Sequence, residues 1–205
     1  ATVTDYDNNV YNTVKIGNQC WMRENLRSTH YTDGTPIPLS ATTSATTPYR
    51  YNPNNNSSLV ATHGYLYNWA AVMNDDNFSS SNPSGVQGIC PTGWHVPSDA
   101  EWTQLTDYVS SQSEYLCSNN PEYIAKVLAS TTEWTSSTYT CAVGNLQNLN
   151  NSTGFGTFPA GYRYNIGFTN SGKYAYFWSS TEASDGNAWY RSLHNNYAYV
   201  TRSAY

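Results

Sequence analysis

The order of local signals along the 205 residues predicts an α+β domain. Three observations carry that class. Short β-prone runs broken by a Gly-Asn turn stand near the N-terminus, helix starts stand in the middle, and aromatic runs separated by Asn, Gly, Ser and Asp follow. Strands, then helices, then strands again argue against an alternating α/β chain. The length suits one well-cored domain spanning 1–205.

The elements follow in order. "VYNTVKIGNQCWMRENLR" (10–27) reads as two strands bent at Gly17-Asn18. After Asp33-Gly34 and two prolines, residues 40–58 are Thr, Ser, Asn and Pro with little apolar content, which predicts a long exposed loop. A short helix is predicted from about Tyr67 to Met73, and loop then runs to Gly93. In "PSDAEWTQLTDYVSS", Ser98 and Glu101 stand three apart as a capping box and Asp99 adds negative charge to the first turn. A helix therefore starts at Asp99, with Trp102, Leu105 and Val109 on one face. A second helix is predicted after Asn120, with Pro121 at its first position and Ile124, Val127 and Leu128 buried. From Gly154, the runs "GFGTFPAGYRYN", "YAYFWSSTE", "NAWYRSL" and "NYAYVTRSAY" predict an antiparallel sheet, with His194-Asn195-Asn196 as the turn between its last two strands.

Composition narrows the function. Charged residues are 11 % of the chain, against roughly a quarter in ordinary domains. Hydroxyls and amides must therefore build the polar surface, which suits an extracellular or cell-surface location. A net charge of −5, with three lysines and six arginines, leaves no basic stripe for nucleic acid. No apolar run is long enough for a transmembrane segment, and "ATVTDYDNNVYNTVKIG" has neither the charged nor the apolar region of a signal peptide. Cys20, Cys90, Cys117 and Cys141 form no C-x-x-C, and an even number in this chemistry reads as two disulfides. Cys117 and Cys141 flank the second predicted helix at a separation suited to a staple.

No catalytic set is legible. His30, His63, His95 and His194 are dispersed, neither G-x-S-x-G nor H-E-x-x-H occurs, and His95 reads as a half-buried donor to a backbone carbonyl. "MNDDN" (73–77) clusters oxygen ligands that could take calcium, although Asp-Asn clusters more often form turns. No other cofactor is expected. The tyrosines are more telling. Strand alternation puts Trp189, Arg191 and Leu193 on one face, and Tyr190, Ser192, His194, Asn195, Tyr197, Tyr199 and Thr201 on the outward one. Tyrosine with short polar groups is the composition of adaptable binding surfaces, so these seven are the candidate ligand-binding residues.

Four segments, "TVKIGNQCWMRENL" (13–26), "CPTGWHVPSDAEW" (90–102), "GFGTFPAGYR" (154–163) and "FWSSTEASDGNAWYRSL" (177–193), together resemble the Fibrobacter succinogenes major paralogous domain of bacterial surface and secreted proteins. The resemblance implies a C-type-lectin-like fold of small twisted antiparallel sheets, two main helices and long loops, in the variant shared with formylglycine-generating enzymes. It makes Trp21, Trp94, Trp102, Trp178 and Trp189 core residues, and Glu24, Asn25 and Glu182 partners of loop backbone. The calcium-and-sugar motifs of C-type lectins are absent, and so are the C-terminal cysteines through which the formylglycine-generating relatives work. No enzyme activity is expected. The family usually continues into a final strand with a cysteine that would pair with Cys90. Without it Cys90 is left free, to another chain or to Cys20, and Cys20 is taken as its partner.

The function implied is a non-enzymatic adhesin-like domain recognising an extracellular glycan or protein ligand through its C-terminal sheet and loops. The alternative is a structural subunit of a filament or pilus, in which copies of the chain meet at an open sheet edge.

Overall fold

In the computed structural model, which describes residues 1–165, 167–184 and 186–205, the capping box at Ser98 is complete. The Ser98 hydroxyl accepts from the Glu101 amide at 3.2 Å, and the Glu101 carboxylate accepts from the Ser98 amide at 2.9 Å. Helix α3 (Asp99–Ser111) starts there and buries Trp102, Leu105 and Val109. Before it come the short helices α1 (Val60–His63) and α2 (Trp69–Met73), and after it α4 (Ala125–Leu128).

Strands β1 (Thr2–Thr4), β2 (Val10–Ile16) and β3 (Gln19–Met22) form an antiparallel sheet in that order. The β2–β3 turn needs Gly17, whose φ is +59° and where a Cβ would stand 2.9 Å from the Tyr108 ring. β4 (Arg50–Tyr51) pairs with β5 (Leu66–Tyr67), and β6 (Tyr162–Tyr164) with β7 (Gly167–Thr169). The C-terminal sheet has the order β10-β9-β8, from β8 (Tyr174–Ser184), β9 (Asn187–His194) and β10 (Thr201–Ala204). Small antiparallel sheets around a few helices make an α+β architecture, as predicted.

Two apolar clusters hold these pieces. One joins α3 to Ile16, Val127, Leu128, Trp134, Phe155 and Leu193, so both main sheets pack on the same helix. The other gathers α2 with Tyr31, Ile37, Ile89, Cys90 and Val96. Indoles tie the elements across: Trp102 Nε1 donates to the Trp178 carbonyl, and Trp69 Nε1 to the Ser179 carbonyl. Trp102 is buried, while Trp21, Trp94 and Trp178 pack half-buried against the clusters. Asn25 donates to the His63 carbonyl, Glu24 accepts from the Asn12 amide, and Glu182 accepts from the Gly186 amide, as partners of loop backbone.

Several expectations need correction. The helix predicted from Tyr67 begins at Trp69, because Leu66–Tyr67 is a strand and Asn68 is the cap, its side chain accepting from the Ala71 amide. The helix predicted after Asn120 is confined to Ala125–Leu128: the Asn120 side chain accepts from the Glu122 amide and holds Pro121–Tyr123 in a turn. Cys117 and Cys141 are bonded, with Cα atoms 5.7 Å apart. Cys20 and Cys90 are not. Cys20 lies on the exposed side of β3, whereas Cys90 is buried in the second cluster, where burial pushes its thiol up to about 12. His95 meets a carboxylate, Glu101 Oε1 at 2.6 Å, rather than a backbone carbonyl. His194-Asn195-Asn196 is not a tight hairpin turn. β9 ends at His194, β10 resumes at Thr201, and the link between is woven into other loops: the amides of Gly144, Val143 and Ala125 donate to the carbonyls of Asn195, Tyr197 and Ala198.

Candidate functional site

Residues directly opposite on paired strands point to the same side of a sheet. The register of the C-terminal sheet sets Tyr174 against His194, Tyr176 against Ser192 and Trp178 against Tyr190, and then Thr201 against Ser192 and Ser203 against Tyr190. One face therefore carries Tyr174, Tyr176 and Trp178 from β8, Tyr190, Ser192 and His194 from β9, and Thr201 and Ser203 from β10. The other carries Ala175, Phe177, Trp189, Arg191 and Leu193 and turns toward α3.

The rings on the first face touch in sequence. Tyr197 and Tyr199 are stacked at 4.9 Å, Tyr197 meets His194 at 4.3 Å, and His194 meets Tyr174 at 4.1 Å. Tyr174 stacks on Tyr176 at 5.3 Å, Tyr176 meets Tyr190 at 5.6 Å, and Tyr190 meets Trp178 at 6.2 Å. From Tyr176 the chain of contacts crosses to β6 through Tyr162 at 5.0 Å, then to Tyr164 and Tyr205. Offset and edge-on pairs of this kind stiffen one another and hold their outer faces in fixed directions. Trp178 is further oriented by donating its Nε1–H to the Tyr67 carbonyl at 3.0 Å.

The face is aromatic, hydroxyl-rich and uncharged. Burial, helped by neighbouring phenols, raises Tyr174, Tyr176 and Tyr205 above the ordinary tyrosine range, so all three stay protonated near neutrality. Burial lowers His194 below its usual value and the nearby Lys173 adds to the effect, leaving a neutral imidazole at pH 7. Beside this face opens a cleft of about 1130 Å³, lined by Tyr162, Tyr164, Tyr176, Trp178, Tyr190 and Tyr205, and also by Tyr51, Tyr65, Trp94 and Arg163. Small-molecule pockets are typically clefts of roughly 300–1,000 Å³ with mostly apolar lining, and this one is of that order.

Of the seven residues named from sequence, five reach the face. Tyr197 is 38 % and Tyr199 42 % exposed, and Tyr190, His194 and Thr201 are half-buried. Tyr197 and Tyr199 do so from a loop rather than by strand alternation, with Ala198 buried between them. Ser192 and Asn195 are corrections: both are buried. The Ser192 side chain is too short to pass the rings around it, and Asn195 turns inward to donate to the Thr135 carbonyl at 3.1 Å. Tyr162, Tyr164, Tyr174, Tyr176, Trp178 and Tyr205 were not named. For Tyr174, Tyr176 and Trp178 the signal is present, because in "YAYFW" aromatics recur with the period of a strand. The β6 tyrosines join through a fold contact that no local pattern announces.

At "MNDDN", Asn74 and Asp75 take positive φ and Asp76 Oδ2 accepts from the Gly88 amide at 2.8 Å, so the cluster forms a turn. Among the described residues no group of three or more His, Cys, Asp or Glu side chains gathers as an ion site, and no helix is long and apolar enough to cross a membrane.

A family model, the Fibrobacter succinogenes major domain, matches residues 14–204. No curated protein and no solved structure matches the chain.

Proposed function

The chain belongs to the Fibrobacter succinogenes major domain family, and from that premise we propose that it is a non-enzymatic binding domain, secreted or displayed on a bacterial surface. It recognises an extracellular glycan or protein ligand through the tyrosine face of its C-terminal sheet, on a fold of the C-type-lectin-like class. The observation that carries this function is the unbroken run of ring contacts from Tyr199 to Tyr205 across β8, β9 and β6. Tyrosine offers large contact area at small cost in lost rotamers, and its hydroxyl bonds to polar partners without a charge to desolvate. The disulfide and the low charge support an oxidising, extracellular setting.

A glycan array probed with the wild type and with Tyr197→Ala plus Tyr199→Ala tests the site. Signal that falls in the double variant supports it, and signal unchanged by both substitutions removes it. The proposal asks for no metal, so dialysis against EDTA leaves binding intact; loss restored by calcium would assign an ion.

A filament subunit is the second reading. β10 pairs with β9 on one side, and among the described residues no strand pairs with its other edge, which could accept a neighbour's strand. Light scattering that finds a monomer at high protein concentration sinks it.

A further inference from the structure

Six arginines serve this chain, and the structure uses them unequally. Arg191 and Arg202 are paired with Asp99. Arg23 and Arg27 donate to backbone carbonyls in the open. Arg50 and Arg163 both lack a carboxylate within salt-bridge distance among the described residues and both keep buried N–H groups without an acceptor, but of the two it is Arg163 that lines the cleft beside the tyrosine face. Its guanidinium is wedged between the Phe168 ring at 4.8 Å and the Tyr51 ring at 5.7 Å, with Nη2 anchored on the Ala41 carbonyl. The Nε–H is buried and finds no acceptor in the protein.

Tyr51 sharpens this. It is 2 % exposed, it lines the same cleft, and its buried hydroxyl has no partner either. Burial raises its phenol above the usual range despite the opposing field of Arg163, so it stays an O–H donor near neutrality. The cleft's own acids, Glu24 and Glu101, are already engaged: Glu24 accepts from Asn12, and Glu101 from Ser84, Ser98 and His95. A cation of fixed orientation and a neutral donor, both with unused capacity and no competing acid, make a complement for an oxyanion.

We infer that Arg163 and Tyr51 form an anion subsite at the cleft, so that the glycan taken by the tyrosine face carries an oxyanion, either a uronic-acid carboxylate or a sulfate ester. This rests on the function proposed above and narrows it. Sugar rings lie against Tyr162, Tyr164 and Tyr176, and their acidic substituent reaches Arg163 from the neighbouring cleft.

The test is calorimetric titration of the full chain with oligogalacturonate, with its methyl ester, which keeps the rings and removes the charge, and with dextran sulfate against dextran. Uronic-acid recognition predicts that oligogalacturonate binds about tenfold or more tightly than its ester, the scale of one charge-assisted bond. Sulfate recognition predicts the same gap between dextran sulfate and dextran. Arg163→Gln closes whichever gap is seen, while circular dichroism shows the fold unchanged. A wild type that binds neutral and acidic partners alike overturns the subsite and leaves the tyrosine-face function standing. So does a gap that survives Arg163→Gln. No binding to any of the four probes counts against both.

Discussion

The two faces of the C-terminal sheet use the same strands, yet they are held in opposite ways. On the inner face Arg191 is buried, meets Asp99 at 2.5 Å and Thr103 at 3.0 Å, and Arg202 joins the same carboxylate while lying 3.5 Å over the Trp189 ring. On the outer face rings meet rings, and hydrogen bonds are few. The inner face is specified by directional bonds that fail if one partner is lost. The outer one is a set of surfaces, stiff but replaceable, which is what a ligand-contacting face needs.

That contrast can be broken first at Asp99. Asp99→Ala leaves the Arg191 guanidinium buried without its counter-charge and is expected to cost about 3 kcal/mol or more in urea unfolding, as broken buried pairs do. The acid limb follows from the same carboxylate. Burial pushes the Asp99 pKa up, but hydrogen bonds from Arg202 and Arg191 outweigh it and hold the folded value below 3.8. Its contribution is therefore complete above the unfolded pKa and is lost as pH falls through the folded one. Stability measured from pH 6 to pH 2 should drop in that acidic range, and less steeply in Asp99→Ala.

Next in size is reduction of Cys117–Cys141, which closes a loop of sequence separation 24 and is expected to cost about 3 kcal/mol. Calorimetry with and without reductant measures it. Ser98→Ala removes one bond of the capping box and should cost about 1 kcal/mol. Smallest is the outer face: Tyr197→Ala plus Tyr199→Ala, two exposed rings, should cost under about 1 kcal/mol. A loss there equal to that of Asp99→Ala would mean that the rings hold the fold rather than face a ligand.

What the sequence allowed one to read follows the same division. The capping box, the Gly17 turn, the Cys117–Cys141 staple and the stripe Trp102, Leu105, Val109 were legible because residue type and spacing in the sequence signal each of them. The family that the four motifs resemble is the one whose model matches residues 14–204. The link at Asn195 was not legible because amides of distant loops hold it, the short α4 because the Asn120 side chain holds Pro121–Tyr123 in a turn, and the buried Ser192 because the rings around it overtop it. Lys126 makes the point in one side chain. A lysine reads as surface, yet its ammonium is buried among the carbonyls of Ala142, Asn145 and Leu146, and burial lowers its pKa. Part of the tyrosine face was hidden in the same way: Tyr197 and Tyr199 could be named from their neighbours, but Tyr162 and Tyr164 reach it only through the contact with Tyr176.

The central claim is that the outer tyrosine face is where ligand sits. The measurement that bears on it most directly is a two-dimensional NMR titration of the labelled domain with whichever oligosaccharide binds most tightly. Shift changes concentrated at Tyr174, Tyr176, Tyr190, Tyr197 and Tyr199 are the result expected. Shift changes concentrated on the N-terminal sheet or along the exposed side of α3, with those tyrosines still, would contradict it.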